Sequence, residues 1–260
     1  MVGPEFASCL LKLCRAEEHF NILSAEMILW KDSEAYSIAR QSDAEGSRYA
    51  FVVEVKKPPP LDRWSLIAGD CIHNLRSALD ALIYALAVRD SGSNPPPVER
   101  SLQFPITGSV GDFNRSLAMI RPLAPGTQTR IERAQPYNRW HPQLPPLLCL
   151  LNKFDNLDKH RLLNVVIANA AQGHLRFDYT GYELPSFKLF HHSGAIESGA
   201  ELAYVMFTPP KPDVNCKYEA TIVISIAHPA GPSGRTTGEL IYILEVLIEE
   251  VRGIVDRIIL

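Results

Sequence analysis

The chain has 260 residues, enough for one large domain or two small ones, and its 46% apolar and 21% charged residues are those of a protein with a sizeable core. A formal net charge of −3 leaves no basic excess of the kind a duplex-DNA binder carries. The five cysteines, at 9, 14, 71, 149 and 216, form no CxxC pair and have irregular spacing, which predicts free thiols in a reducing compartment.

The N-terminal MVGPEFASCLLKL lacks the charged-then-apolar pattern of a signal peptide. No apolar run reaches the roughly 18–20 residues needed to span a bilayer, so a cytoplasmic location without membrane partners is expected. Residues 5–31 carry Leu10, Leu13, Phe20, Leu23, Met27 and Trp30 at helical spacing. Alternating stretches at 36–43 and 48–56, joined by DAEG, predict a β-hairpin that the prolines at 58–60 terminate. Residues 62–88 read as the clearest helix, with Asp62 as N-cap and Leu66, Ile72, Leu75, Leu79, Leu82, Ile83 and Leu86 as its apolar stripe.

A loop at 90–100 precedes short helices near 109–120 and 126–134. The proline-rich stretch 136–146 leads into a helix over about 145–157. From 162 to 228 the runs LLNVVIA, HLRFDY, FKLFHH, ELAYVMF and YEATIVISIA predict an antiparallel sheet. An amphipathic helix at 236–259, striped by Leu240, Leu244, Leu247, Val251, Ile254, Val255 and Ile258, closes the chain and offers a face for a homodimer. The expected class is α+β in one domain spanning 1–260. Its helical core covers about 5–31, 62–161 and 236–259, with a β-hairpin inserted and a β-rich segment at 162–228.

Two constellations carry candidate chemistry. In GDCIHNLRSALDAL at 69–82, helical geometry lines up Asp70, His73, Ser77 and Asp80 beside the apolar stripe, with Asn74 and Arg76 flanking them. Cys71 points about 100° away from Asp70 and reads as a core thiol. In LNKFDNLDKHRLL at 151–163, Asn152, Asp155 and Asp158 step by three, and Lys159, His160 and Arg161 follow at a helix end that favours cations. Arg15 and His19 share a face of the first helix, and Gln135-Pro136-Tyr137 follows the fourth. The two long motifs are expected to dock and enclose one polar chamber.

Three functions fit those residues. The first is a hydrolase or transferase for a phosphate-containing or nucleotide-type small molecule. His73 or His160 would serve as acid or base, oriented by Asp70, Asp80 or Asp158. Arg76, Lys159 and Arg161 would bind the anion, with Asn74, Gln135 and Tyr137 lining the site. The second is a divalent-metal centre drawn from Asp70, His73, Asp155, Asp158, His160 and His19. The third is non-catalytic: a ligand-free network in which Arg76 pairs with Asp155 or Asp158 and His73 caps a backbone carbonyl, or else a binding module for a nucleotide or a partner protein. Trp30, Trp64 and Trp140 read as core or interface aromatics, and His191-His192 as surface. The glycines of 230–238 lack the P-loop pattern.

RAEEHF at 15–20, GDCIHNLRSALDAL at 69–82, FPI at 104–106, QPY at 135–137 and DNLDKHR at 155–161 resemble the shared pattern of a family of bacterial, often actinobacterial, proteins with no assigned reaction. Many members of that family have His where this chain has Ala81. The helical part is loosely similar to HEPN-type bundles, which include ribonucleases. The HEPN signature has four to six residues between an Arg and a following His, a spacing that neither Arg76 nor Arg15 has here, since only three residues lie between Arg15 and His19.

Overall fold

The computed structural model describes residues 3–98, 100–139, 145–178, 186–192, 196–211, 214–228 and 236–259, except for the side chains at 169–172, 221, 228, 236 and 237. The class is α+β: helices account for 51% of the chain and strands for 24%, in antiparallel sheets. The chain sorts into two compact units. One holds residues 1–24, 62–163 and 241–260, the other residues 25–61 and 164–240. Among the described residues no helix is long and apolar enough to cross a membrane.

The helical unit is built on α2 (Leu61–Ser91), which buries sixteen of its residues, Trp64, Leu75, Leu79, Leu82 and Leu86 among them. Its periodic stripe reads as expected except at Leu66, which is 56% exposed. Asp62 lies in the first turn, where a carboxylate faces the positive helix end, and the helix begins one residue before it. Gly92, at φ +66°, closes α2 in the left-handed conformation and donates its N–H to Val88 O at 2.9 Å. The N-terminal part of α1 (Ala7–Asp32) buries Cys9, Leu13, Ala16 and Leu23 at helical spacing.

Three shorter helices follow: α3 (Val110–Ser116), capped by the Ser109 hydroxyl, α4 (Pro125–Arg133) and α5 (Leu147–Asp158). The last helix, α6 (Leu240–Ile259), starts at the first residue of its apolar stripe, four residues later than the expected 236. Thr236–Glu239 instead form a strand paired with an earlier one, as a Thr-Thr-Gly run favours extended backbone over helix. Its stripe, from Leu240 through Ile258, is buried within the chain, so that face is not open to a second copy. Arg139 grips Glu250 of α6 with two hydrogen bonds, at 2.8 and 3.1 Å. Arg252 pairs with Glu17 of α1.

In the second unit the expected hairpin is present as β1 (Tyr36–Ser42) and β2 (Arg48–Val55). Gly46, at φ +69°, makes its turn, and the Asp43 carboxylate accepts hydrogen bonds from the Ser47 N–H and hydroxyl. The later strands are β3 (Val165–Asp178), β4 (Ser186–His191), β5 (Glu201–Thr208), β6 (Asn215–His228) and β7 (Thr236–Glu239). They form two sheets where one was expected. The hairpin joins β5 and β4 in the order β1-β2-β5-β4, and β3-β6-β7 make the other sheet.

Aromatic contacts tie the two sheets together. Phe51 stacks on Tyr218 at 5.3 Å, and Phe177 meets Phe187 edge-on at 5.3 Å. Exposed His191 is hydrogen-bonded through Nδ1 to the Tyr218 hydroxyl at 2.8 Å. Trp30 is buried, with its indole N–H on Lys57 O. Trp140, and the glycines before 236, lie outside the described residues.

Candidate functional site

The two long motifs meet inside the helical unit. Ser65 of α2 donates to Leu163 O at 2.7 Å, fixing the segment that leaves α5. Above that anchor the Asp158 carboxylate occupies the space that a Cβ on Gly69 would need. Glycine at 69 is therefore a requirement of close approach, in a helix interior where alanine would be better by about 1 kcal/mol on propensity alone.

The contact then continues through His73. Its Nδ1 lies 3.3 Å from Oδ1 of Asp155, and its Nε2 lies 3.4 Å from the Ser77 hydroxyl one turn further along α2. Asp155 is almost fully buried (2% side-chain exposure), while the His73 side chain is 58% exposed. Among the described residues the second oxygen of Asp155 accepts no hydrogen bond, and it is balanced by an ion pair with Lys159 Nζ at 2.6 Å. His73 thus faces Asp155 and Ser77, where a backbone carbonyl was expected as its partner. Burial, reinforced by the charges of Asp70 and Asp155 and opposed by His73, holds the Asp158 carboxyl above its ordinary pKa.

Arg76 does not reach Asp155 or Asp158. It pairs with Asp80 on its own helix at 2.8 Å and donates to Phe104 O at 3.1 Å, while Asp80 accepts the Phe104 N–H at 2.9 Å. Arg76 and Asp80 together therefore clip both backbone groups of Phe104. Burial raises the Asp80 pKa against the lowering effect of Arg76.

Gln135 holds the next stretch of the same segment. Its amide nitrogen donates to Pro105 O at 2.8 Å and Ile131 O at 3.1 Å; its oxygen accepts the Thr107 N–H and hydroxyl, both at 3.0 Å. All four hydrogen-bonding positions of this fully buried amide are filled. The FPI and QPY motifs are thus two halves of one structural clamp. Arg76, Asp80 and Gln135, read from sequence as catalytic or ligand-binding, all make hydrogen bonds in it.

The remaining candidates separate. Asn74 turns back onto Asp70 O at 2.8 Å. His160 and Arg161 are exposed just beyond α5, their N–H groups bonded to Leu157 O. Arg15 pairs with Glu18 rather than sharing a site with His19. Tyr137 is partly buried after the clamp, and burial raises its phenol.

Among the described residues no group of three or more His, Cys, Asp or Glu side chains is placed to hold a metal ion. The ligand set expected from Asp70, His73, Asp155, Asp158, His160 and His19 is therefore not formed. All five cysteines are free; the Cys71 thiol is fully buried and pushed up to about 12, as suits a core thiol. Sequence reasoning missed the bridge from Ser77 through His73 to Asp155. The signal lay in the i, i+4 spacing of His73 and Ser77. No protein-family model matches the chain, and no curated protein or solved structure does either.

Proposed function

We propose that the His73 face of α2 is a hydrolytic acid–base site, with His73 as the proton carrier and Asp155 as the residue that positions it. The observation that carries this reading is the 3.3 Å approach of His73 Nδ1 to a buried carboxylate, on an imidazole whose side chain is otherwise largely exposed. A carboxylate on Nδ1 favours the tautomer with its proton there, so Nε2 is bare and able to accept one. It also stabilises the imidazolium that forms when Nε2 does so.

The charge around this imidazole favours a neutral or cationic substrate over a phosphate. Asp70, Asp155 and Asp158 are the acidic neighbours that act on the site. Two of the three cations first assigned to an anion are engaged, Arg76 on Asp80 and Lys159 on Asp155, and the third, Arg161, is exposed beyond the end of α5. Carboxylic esters and amides fit this balance.

The test is turnover of neutral p-nitrophenyl esters by the purified chain and its His73→Ala variant. Positioned acid–base catalysis is worth about 10²–10⁴-fold, and a loss of that order is expected in the variant. An unchanged rate refutes the assignment.

A second reading, a purely structural network, is favoured by the complete hydrogen bonding of Gln135 and by the bonds of Arg76 and Asp80 to the Phe104 backbone. It accounts for the clamp on residues 104–107. It gives no reason for an imidazole at the exposed end of the chain of contacts from Asp155.

A further inference from the structure

We propose that Ser77 is the covalent nucleophile of this site and attacks the carbonyl carbon of a neutral ester or amide. The inference rests on the hydrolytic reading above and adds the attacking atom. Three side chains lie in one line: Ser77 Oγ to His73 Nε2 at 3.4 Å, then His73 Nδ1 to Asp155 Oδ1 at 3.3 Å. This order, hydroxyl to Nε2 and Nδ1 to carboxylate, is that of nucleophile, base and orienting acid.

A helical serine commonly turns its hydroxyl back to the carbonyl four residues earlier. The Ser77 hydroxyl instead lies 3.4 Å from the side chain of the residue at that position. Ser77 and His73 occupy successive turns of one rigid helix, while Asp155 comes from α5, so the base is held between two elements. The geometry is loose for a bond already formed, as is common before substrate tightens a site.

The step balances within these groups. The Ser77 Oγ–H proton passes to His73 Nε2 as Oγ bonds the carbonyl carbon. The carbon–leaving-group bond then breaks, and His73 returns the proton to the departing alkoxide or amine. Water, deprotonated by the same nitrogen, releases the acid product and restores the hydroxyl. Asp155 touches neither substrate nor leaving group and acts only through His73.

The full chain is incubated with phenylmethanesulfonyl fluoride and read by intact mass and peptide mapping, in parallel with p-nitrophenyl acetate turnover. The expected result is one sulfonyl adduct on Ser77, formed with loss of fluoride and absent in Ser77→Ala and His73→Ala. Ester turnover should fall about 10²-fold or more in both variants. Asp155→Asn should slow labelling and change its pH profile, which a merely structural residue would not do.

Turnover lost in His73→Ala but kept in Ser77→Ala overturns the nucleophile and leaves the base assignment standing, with water attacking directly. A wild-type chain that takes no label and hydrolyses no ester overturns both. Ser77→Ala places the best helix former at a helical position, and Ser77→Cys supplies a second nucleophile of similar size whose acyl adduct would support the proposal.

Discussion

Replacing Gln135 by Ala removes the amide that holds residues 105–107. Four hydrogen bonds are lost, but their costs differ. Ile131 O still accepts the Ala134 N–H, and the Thr107 hydroxyl can turn toward water from its partly exposed position. The Thr107 N–H and Pro105 O lose the only partners described for them. Each unsatisfied buried group costs about 1–3 kcal/mol, so the backbone contribution is about 2–6 kcal/mol. That is a large fraction of the roughly 5–15 kcal/mol that ordinarily separates native from unfolded chains.

The assay is urea unfolding followed by far-UV circular dichroism, with amide hydrogen exchange at Thr107 as the local readout. Gln103→Ala, at an exposed position in the same segment, is the control and should change stability by no more than about 0.5 kcal/mol. The variant should lose at least about 2 kcal/mol, and the Thr107 amide should exchange much faster. A loss matching the control, or a Thr107 amide as protected as before, would refute the clamp as a structural element.

Other outcomes follow from the same contacts. Gly69→Ala should destabilise despite its better helix propensity because of the Asp158 carboxylate, and Gly69→Ala/Asp158→Ala should recover most of the loss; additive losses in a thermal-unfolding cycle would contradict that close approach. Arg76→Ala, which strands Asp80 and the Phe104 carbonyl, should cost about 3–5 kcal/mol in chemical denaturation, against little change for exposed Arg161→Ala. Because the folded chain raises the Asp158 pKa, the native state binds its proton more tightly than the unfolded one. Ionisation therefore removes stability as pH rises from about 3.8 through the raised value. Asp158→Asn should accordingly stabilise the chain at pH 7 and lose that advantage below that window. Denaturant midpoints measured across pH would expose the error if the two proteins stay equally spaced at every pH.

The helices were legible because their apolar residues recur at 3.6-residue spacing, and α2 shows this from Trp64 to Leu86. The meeting of the two long motifs was legible for a related reason. Short polar groups beside a core-facing stripe require partners, and Asp155, Asp158 and Ser65 show where they were found. Partner choice was not legible. Arg76 was expected on Asp155 or Asp158 and takes neither: the path of residues 104–107 decides for Asp80, because the guanidinium also donates to Phe104 O. The start of α6 was placed four residues early: its apolar stripe begins only at Leu240, and Thr236–Glu239 pair with β6 instead, a contact that the helical pattern does not encode. The split of the strands into two sheets has the same origin: β2 pairs with β5 across a wide separation in sequence.

The account depends most on Asp155 fixing the proton of His73 on Nδ1. Long-range nitrogen–proton NMR of the imidazole, on the full chain with His73 assigned through His73→Ala, reads this directly. The wild-type ring, in its neutral form, should show a protonated Nδ1 and a bare Nε2, and Asp155→Asn should shift the ring toward the other tautomer. A neutral His73 protonated at Nε2, or a tautomer indifferent to Asp155→Asn, would contradict the account.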